Sequence, residues 1–473
     1  MPSLCFRYSS RLLSWPVFSV WGVWVLVGCF LTASLCVAKD GFVKDASAQA
    51  GPAQDQKGSP SKPTSNQPTS LQSRAIPASV QLLLDRWLTE HSHPQLAWKT
   101  DLFPYQLSNH QRFRQRIEIA VPERELKKRP GERRLLALIR VTDRDGKSLM
   151  DDGVLITDVT KLGQHVSGAV FGWTVFLLPG EYTVTLALYD RISKEHNVIQ
   201  HKLKVAPFKH DPLPEAWRDL PNIEFLESGE DEADSLFHPE VSSRLYLPLA
   251  TDRPVQIELL ANLTPSEAFT GSNRMYRFNL RAMIPILKTF SQIDVANGTL
   301  NLATLNLTRR EANFRQDDSK SMLDWPKLKA ALEDENPGVV GVQDLQARKR
   351  NAAFLRESLA RWIAAGEEKS ADVGNPLRVF ILISSPVLFN FKEGLKEIEL
   401  PRICDCLVYH LRYDWLFRGA SFDDLDRTLK PLKLRTFSAN SPEGVRKALA
   451  DILQEIAQKS AAGEGRSAST RLQ

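Results

Sequence analysis

The chain has 473 residues, 42% hydrophobic and 25% charged, with a net charge of +5. That length leaves room for two or three domains, each large enough to bury a core, and the composition is ordinary for a globular protein. Residues 1–38 hold two arginines and no acid, so the charge falls to +3 beyond them. So even a balance excludes a concentrated basic face and argues against a nucleic-acid partner.

Arg7 and Arg11 precede an uncharged, mostly apolar stretch from Leu12 to Ala38. A basic start followed by an apolar segment is the pattern of an export signal, with Cys36-Val37-Ala38 as a small-residue cleavage site. The stretch is also long enough to stay in a bilayer as an anchor, a membrane tether for the rest of the chain. Leu26-Val27-Gly28-Cys29 resembles a bacterial lipobox, although apolar residues 30–38 come after it where a polar tether is expected. Each alternative puts the remainder outside the cytoplasm. Residues 39–76 are rich in Ala, Gln, Ser, Pro, Lys and Gly and have little apolar surface to bury, so they read as a disordered linker.

Order is expected from Pro77, where Val80, Leu83, Leu84, Trp87 and Leu88 recur at helical spacing. From there to Val205 the pattern is β. Strands are expected over 114–121, 134–141, 154–159, 170–178, 182–189 and 198–205, with Asp143-Arg-Asp-Gly146 and Pro179-Gly180 marking turns. Short strands at this spacing predict a sandwich of immunoglobulin-like size. Asp143, Asp145, Asp151 and Asp152 lack the spacing of an EF-hand loop and read as turn residues. The mixed charge run from Glu123 to Arg134 reads as a solvated loop.

Residues 206–245, with Pro212, Pro214, Pro221 and Pro239 and an acidic cluster from Glu227 to Asp234, read as a connector. Trp217, Phe225 and Leu226 are its candidates for anchors on a neighbouring domain. A last domain, 246–460, alternates strands and helices, and 461–473 reads as a disordered tail. Its strands are expected at 255–261, 300–307, 379–383, 406–411 and 433–437, with 311–315 as an edge partner. Helices are expected around Met275 to Phe290, Asp324 to Leu332, Ala352 to Ala365 and Leu425 to Leu429. A last one opens at Ser441-Pro442, a cap followed by proline in the first turn. This alternation predicts an α/β fold with a mostly parallel, doubly wound sheet.

In such sheets ligands sit beyond the carboxyl ends of the strands. The apolar run Val255 to Ala261 ends there in Asn262, Thr264 and Ser266, which makes this strand-to-helix turn the leading candidate site. Val379-Phe-Ile-Leu-Ile-Ser-Ser385 brings a second apolar strand to the same edge.

The order of these elements resembles the von Willebrand factor A domain. Leu178-Pro-Gly-Glu-Tyr182 in a preceding β-rich segment further resembles the exported von Willebrand A-related proteins of acidobacteria. The resemblance covers roughly residues 110–460 and implies a metal-ion-dependent adhesion site, built on Asp-x-Ser-x-Ser, a threonine from a second loop and an aspartate after the central strand. Here the first motif stands as Asn262-x-Thr264-x-Ser266, the aspartate position is Ser385, and the loop from Gly338 to Leu345 offers no matching threonine. Both carboxylates are therefore missing. A hard ion such as Mg²⁺ normally takes one or two carboxylates, so no metal and no cofactor is expected. The bland alternative is that these side chains shape the turn and cap a helix.

Cys404 and Cys406, with His410 beyond them, lack a complete zinc set and read as two buried thiols, a strained bridge being the alternative. No Gly-x-Ser-x-Gly elbow, phosphate loop or His-Glu-x-x-His is present. The reading is an exported, non-enzymatic module that binds a protein partner through Asn262, Thr264, Ser266 and Ser385. Its rivals are a hydrolase or modifying enzyme with a site between the two domains, and a structural envelope component.

Overall fold

The computed structural model describes residues 78–90, 96–128, 132–158, 168–226, 241–264, 273–319, 323–333, 342–370, 376–387, 389, 397–398, 406–414 and 423–462. The apolar segment of residues 1–38, the linker, residues 463–473 of the tail and Ser266 lie outside the described residues, while Ala461 and Ala462, expected in the tail, end the last helix. Among those described, no helix is long and apolar enough to cross a membrane.

Strict alternation in Phe113–Pro122 puts Phe113, Ile117, Ile119 and Val121 on one buried face. Ile139 and Val141 of Glu132–Asp143 and Val184, Leu186 and Leu188 of Gly180–Asp190 meet them in a single core. Two antiparallel sheets supply these strands. One orders Lys99–Leu102, Phe113–Pro122, Gly168–Leu177 and Ile223–Phe225, with Gln106–Leu107 beside the second. The other orders Ser148–Asp158, Glu132–Asp143, Gly180–Asp190 and His196–Val205. The run around Leu136 is continuous rather than alternating because its strand is covered on both faces. Leu136 and Leu138 turn outward and are buried under the helix Ala78–Thr89, with Leu84, Trp87 and Ala187. Each large apolar side chain so buried stabilises the fold by about 1.5–3 kcal/mol. The Trp87 ring stacks on His196 at 4.6 Å. Tyr182 donates its hydroxyl to the Leu178 carbonyl, 2.7 Å away, and burial raises its phenol to about 12.

The second half is built on the strand Val255–Asn262, whose eight residues are all buried. It lies between Gly298–Asn306 and Leu377–Ser384, parallel to both. The six-stranded sheet runs Glu311–Gln316, Gly298–Asn306, Val255–Asn262, Leu377–Ser384, Cys406–Tyr413 and Arg435–Ala439. Every neighbouring pair is parallel except the first. Helices cover both faces. Asn273–Ser291 (with Pro285 inside it), Trp325–Glu333 and Pro442–Ala462 pack on Ile257, Leu259, Val379 and Ile381. Asn351–Ser370 and Asp424–Thr428 pack on Leu260, Phe380 and Leu382. The protein is a mixed α/β chain with several sheets.

Two short strands that the pattern did not announce, Leu247–Leu249 and Ile293–Val295, pair in parallel. The connector is also more than a linker, because its Ile223–Phe225 completes an edge of the first sheet. Trp217 is half-buried and touches the cores of both halves, and Phe225 is half-buried against the first. The Trp217 indole donates to the Gln111 carbonyl at 2.7 Å. Gln111 sits at φ 60°, a strained value for a side chain other than glycine, and donates to the Pro442 carbonyl. Asn109 contacts two elements of the second half, the helix Asn273–Ser291 and the strand Cys406–Tyr413. It donates to Ala282, accepts from Thr289, and accepts from the Tyr413 hydroxyl.

Two ion pairs close this junction. Arg446, 1% exposed, grips Asp211 through two nitrogens at 2.7 and 2.8 Å, and its guanidinium lies 4.4 Å from the Trp217 ring centre. Arg112 pairs with Glu224 and donates to the Ser243 carbonyl. Burial alone would raise the Glu224 carboxyl; Arg112 and the bonds from Ser242 and Ser243 outweigh it and hold the group below its usual range.

Candidate functional site

The strand Val255–Asn262 and the strand Leu377–Ser384 end side by side, with Asn262 opposite Ser384. Asn262 closes the first turn locally, its Oδ1 accepting the Thr264 amide at 3.1 Å. The Thr264 hydroxyl accepts the Leu307 amide at 2.7 Å and donates to Asn306 Oδ1 at 3.4 Å, tying this turn to the neighbouring strand. Ser385 turns elsewhere and donates to Asn279 Oδ1 on the helix Asn273–Ser291. Asn279 in turn donates to the Leu263 carbonyl at 2.8 Å.

Asn262, Thr264, Asn279, Asn306 and Ser385 are all buried. The structure thus brings Asn262, Thr264 and Ser385 to one edge but divides them between two sets of partners, with no hydrogen bond from Ser385 to the other two. Among the described residues, the Asn262 Nδ2, in a side chain 1% exposed, has no hydrogen-bond partner. Oxygen dipoles without a carboxylate lack the countercharge a divalent cation requires. Among the described residues, no group of three or more His, Cys, Asp and Glu could hold a metal.

A second cluster lies beside the first, and sequence reasoning missed it. His410 is fully buried on Cys406–Tyr413, with Nε2 3.0 Å from the equally buried Ser384 hydroxyl. Its Nδ1 is 3.3 Å from Asp426 Oδ1, and its Nε2 is 3.9 Å from Asp423 Oδ2. Asp423 caps the helix Asp424–Thr428: its Oδ1 accepts the Leu425 amide at 3.0 Å and the Val387 amide at 3.2 Å. Among the described residues, its Oδ2 has no hydrogen-bond partner. Burial pushes the Asp423 carboxyl up, although His410 and the two amides oppose the shift. Asp426 is held below its usual range, chiefly by its bond to His410, with further help from Thr436 and Arg412.

Serine, histidine and aspartate in line form a proton-relay geometry. In this relay Ser384 and His410 are both fully buried. The sequence carried two faint signals for it: a histidine inside an apolar strand, and Asp423-x-x-Asp426 at a helix start. The expectation of two thiols near His410 is corrected. Cys406 is in a disulfide whose partner lies outside the described residues, and His410 faces acids rather than sulfur.

No protein-family model matches the chain, and no curated protein does. Solved structures to which it is similar include an X-ray structure of a Northeast Structural Genomics Consortium target. That match has 16% identity and a TM-score of 0.15, over 24% of this chain and 86% of the other. A structure assigned as the ApaA protein from Bordetella pertussis matches at 10% identity and a TM-score of 0.14, over 24% of this chain and 93% of that one. Similarities this low carry no argument about fold or function.

Proposed function

We propose that the chain is an exported, non-catalytic protein-binding module. An immunoglobulin-like sandwich presents a von Willebrand A-like domain whose adhesion site has lost its metal. The observation that carries this reading is the carboxyl edge, where Asn262 and Ser385 stand at the two acid positions of the adhesion motif and commit their oxygens to internal bonds. The strand order, with one antiparallel edge strand, supports the A-like arrangement. The bond from Tyr182 to a carbonyl four residues upstream is a tyrosine corner and supports the immunoglobulin-like one. A disulfide at Cys406 supports an oxidising compartment, as does the Arg-flanked apolar segment at the start.

Binding at this edge is tested by a photo-crosslinking residue at Arg309, in the turn after Gly298–Asn306, with Val170 on the sandwich as control. In native envelopes the Arg309 position yields a discrete adduct that the Val170 position does not; equal or absent adducts would sink the edge as a binding surface. Export is tested by an alkaline phosphatase fusion after residue 60, which is active in a bacterium if the domains lie outside the cytoplasm.

A hydrolase built on Ser384, His410 and Asp426 is the second reading, favoured by their hydrogen-bond line. A fluorophosphonate probe decides between the two. The binding reading expects Ser384 to stay unlabelled in the folded protein, whereas an adduct abolished by Ser384→Ala establishes the enzyme.

A further inference from the structure

The cluster around His410 has a charge balance that the binding reading does not use. Arg412 contributes one positive charge and Asp426 one negative, joined at 3.4 Å. Among the described residues, Asp423 and Asp426 are the ionisable groups paired with His410, and Arg412 joins through Asp426. Ser384 and Thr436, from the two flanking strands, bring hydroxyls only. Asp424 faces away and accepts the Phe389 amide. Arg412 and Asp426 offset each other, so the balance turns on whether Asp423 holds a proton. Removing that proton leaves a negative charge on a fully buried side chain, a costly change.

The position of Asp423 converts this balance into geometry. One oxygen fastens both the first turn of Asp424–Thr428 and the Val387 amide, just beyond Ser384 and Ser385. The Val387 carbonyl also accepts the Asp424 amide, at 2.9 Å. Among the described residues, the other oxygen has only His410, 3.9 Å away, to answer its charge. Once its proton is gone, Asp423 is hydrated only by leaving its place, and its bonds to Val387 and Leu425 leave with it.

We propose that the proton held by Asp423 is a pH-responsive latch, fastening the first turn of Asp424–Thr428 to the Val387 segment beyond Ser384 and Ser385 and releasing it as pH rises. The latch requires no partner and stands or falls apart from the binding role. Asp423→Asn removes the titration while keeping the capping oxygen, and it places an amide donor toward His410 Nε2.

The test is hydrogen exchange of the full chain between about pH 5 and pH 9, corrected for intrinsic exchange, read at the Val387 and Leu425 amides. In the wild type, protection at both falls about tenfold or more as the Asp423 proton is lost, which corresponds to one pH unit of linkage. In Asp423→Asn the profile is flat, whereas His410→Gln, which leaves the Asp423 carboxyl in place, keeps a pH-dependent fall. A wild-type profile without pH dependence overturns the latch, and so does an Asp423→Asn profile that tracks the wild type. The carboxyl carbon chemical shift of Asp423 supplies an independent check, since its deprotonation must occur at the pH where protection falls.

Discussion

The junction between the halves and the carboxyl edge of the larger sheet both bury charge, and they handle it in opposite ways. At the junction two buried guanidiniums meet carboxylates within hydrogen-bond reach: Arg446 with Asp211, and Arg112 with Glu224. At the edge, Asp423 has a histidine at 3.9 Å and, among the described residues, an oxygen without a hydrogen bond. A guanidinium stays charged at any physiological pH, whereas a histidine–carboxylate pair does not. The junction is thus built to hold across physiological pH, and the edge holds under conditions.

The sharpest way to break this contrast is Arg446→Ala. Removing one partner of a buried pair strands the other, so unfolding in denaturant should cost about 3–5 kcal/mol less. Limited proteolysis should then cut within 206–226, a stretch protected in the wild type. Arg446→Lys keeps the charge but loses the fork on Asp211 and the stacking on Trp217, and should fall between. A wild-type protein that separates into halves at low protease would show that the junction is not a lock.

Trp217→Ala comes next, with an expected loss of about 2–3 kcal/mol, because one half-buried ring fills space in two cores. Calorimetry distinguishes the outcomes. A single cooperative transition at lower temperature fits a shared core, and two separate transitions would mean that Trp217 alone had coupled the halves.

Smaller effects are expected from the edge acids, and their signs differ. A raised folded value for Asp423 means its stabilising contribution is full below the ordinary value of 3.8 and lost as pH rises through the folded value. Asp423→Asn should therefore gain on the wild type as pH climbs. Asp426 is depressed, so its contribution is present above 3.8 and lost as pH falls through the folded value. Asp426→Asn should be less stable than the wild type at neutral pH and converge with it in acid. Denaturant midpoints across pH read both, and two profiles of the same sign would refute the assignment.

The smallest expected effect is none. Millimolar Mg²⁺ or Mn²⁺ should leave the melting temperature unchanged, since a ligand of the native state must raise it. A saturable rise lost in Asn262→Ala would restore a metal to the edge.

Much of the architecture was legible in local pattern. Phe113–Pro122 alternates because one face is buried, and Val255–Asn262 and Leu377–Ser384 read as unbroken apolar runs because both faces are. Asn262, Thr264 and Ser385 were legible as an edge cluster because each comes after an apolar run. What escaped depended on partners distant in the chain. Arg446 and Asp211 are 235 residues apart, and Ser384 and His410 are 26 apart. Three-residue strands such as Leu247–Leu249 are too short to show a period at all. Asn279, the partner of Ser385, sits on a helix whose apolar stripe drew attention to its other positions.

The helix Ala78–Thr89 has a mechanical consequence. It lies on the outer face of the second sheet and is the first described element of the chain. Tension applied from upstream therefore enters the sandwich through this helix. The helix is held there by side-chain packing around Leu84 and Trp87 and by the pair from Arg140 to Asp85. Contacts of that kind separate in succession when a helix is lifted from its end. Phe113–Pro122, by contrast, is hydrogen-bonded along its length to Gly168–Leu177 and, over a shorter stretch, to Lys99–Leu102. Under load the helix should yield first, as a sacrificial element that absorbs extension before either sheet carries force.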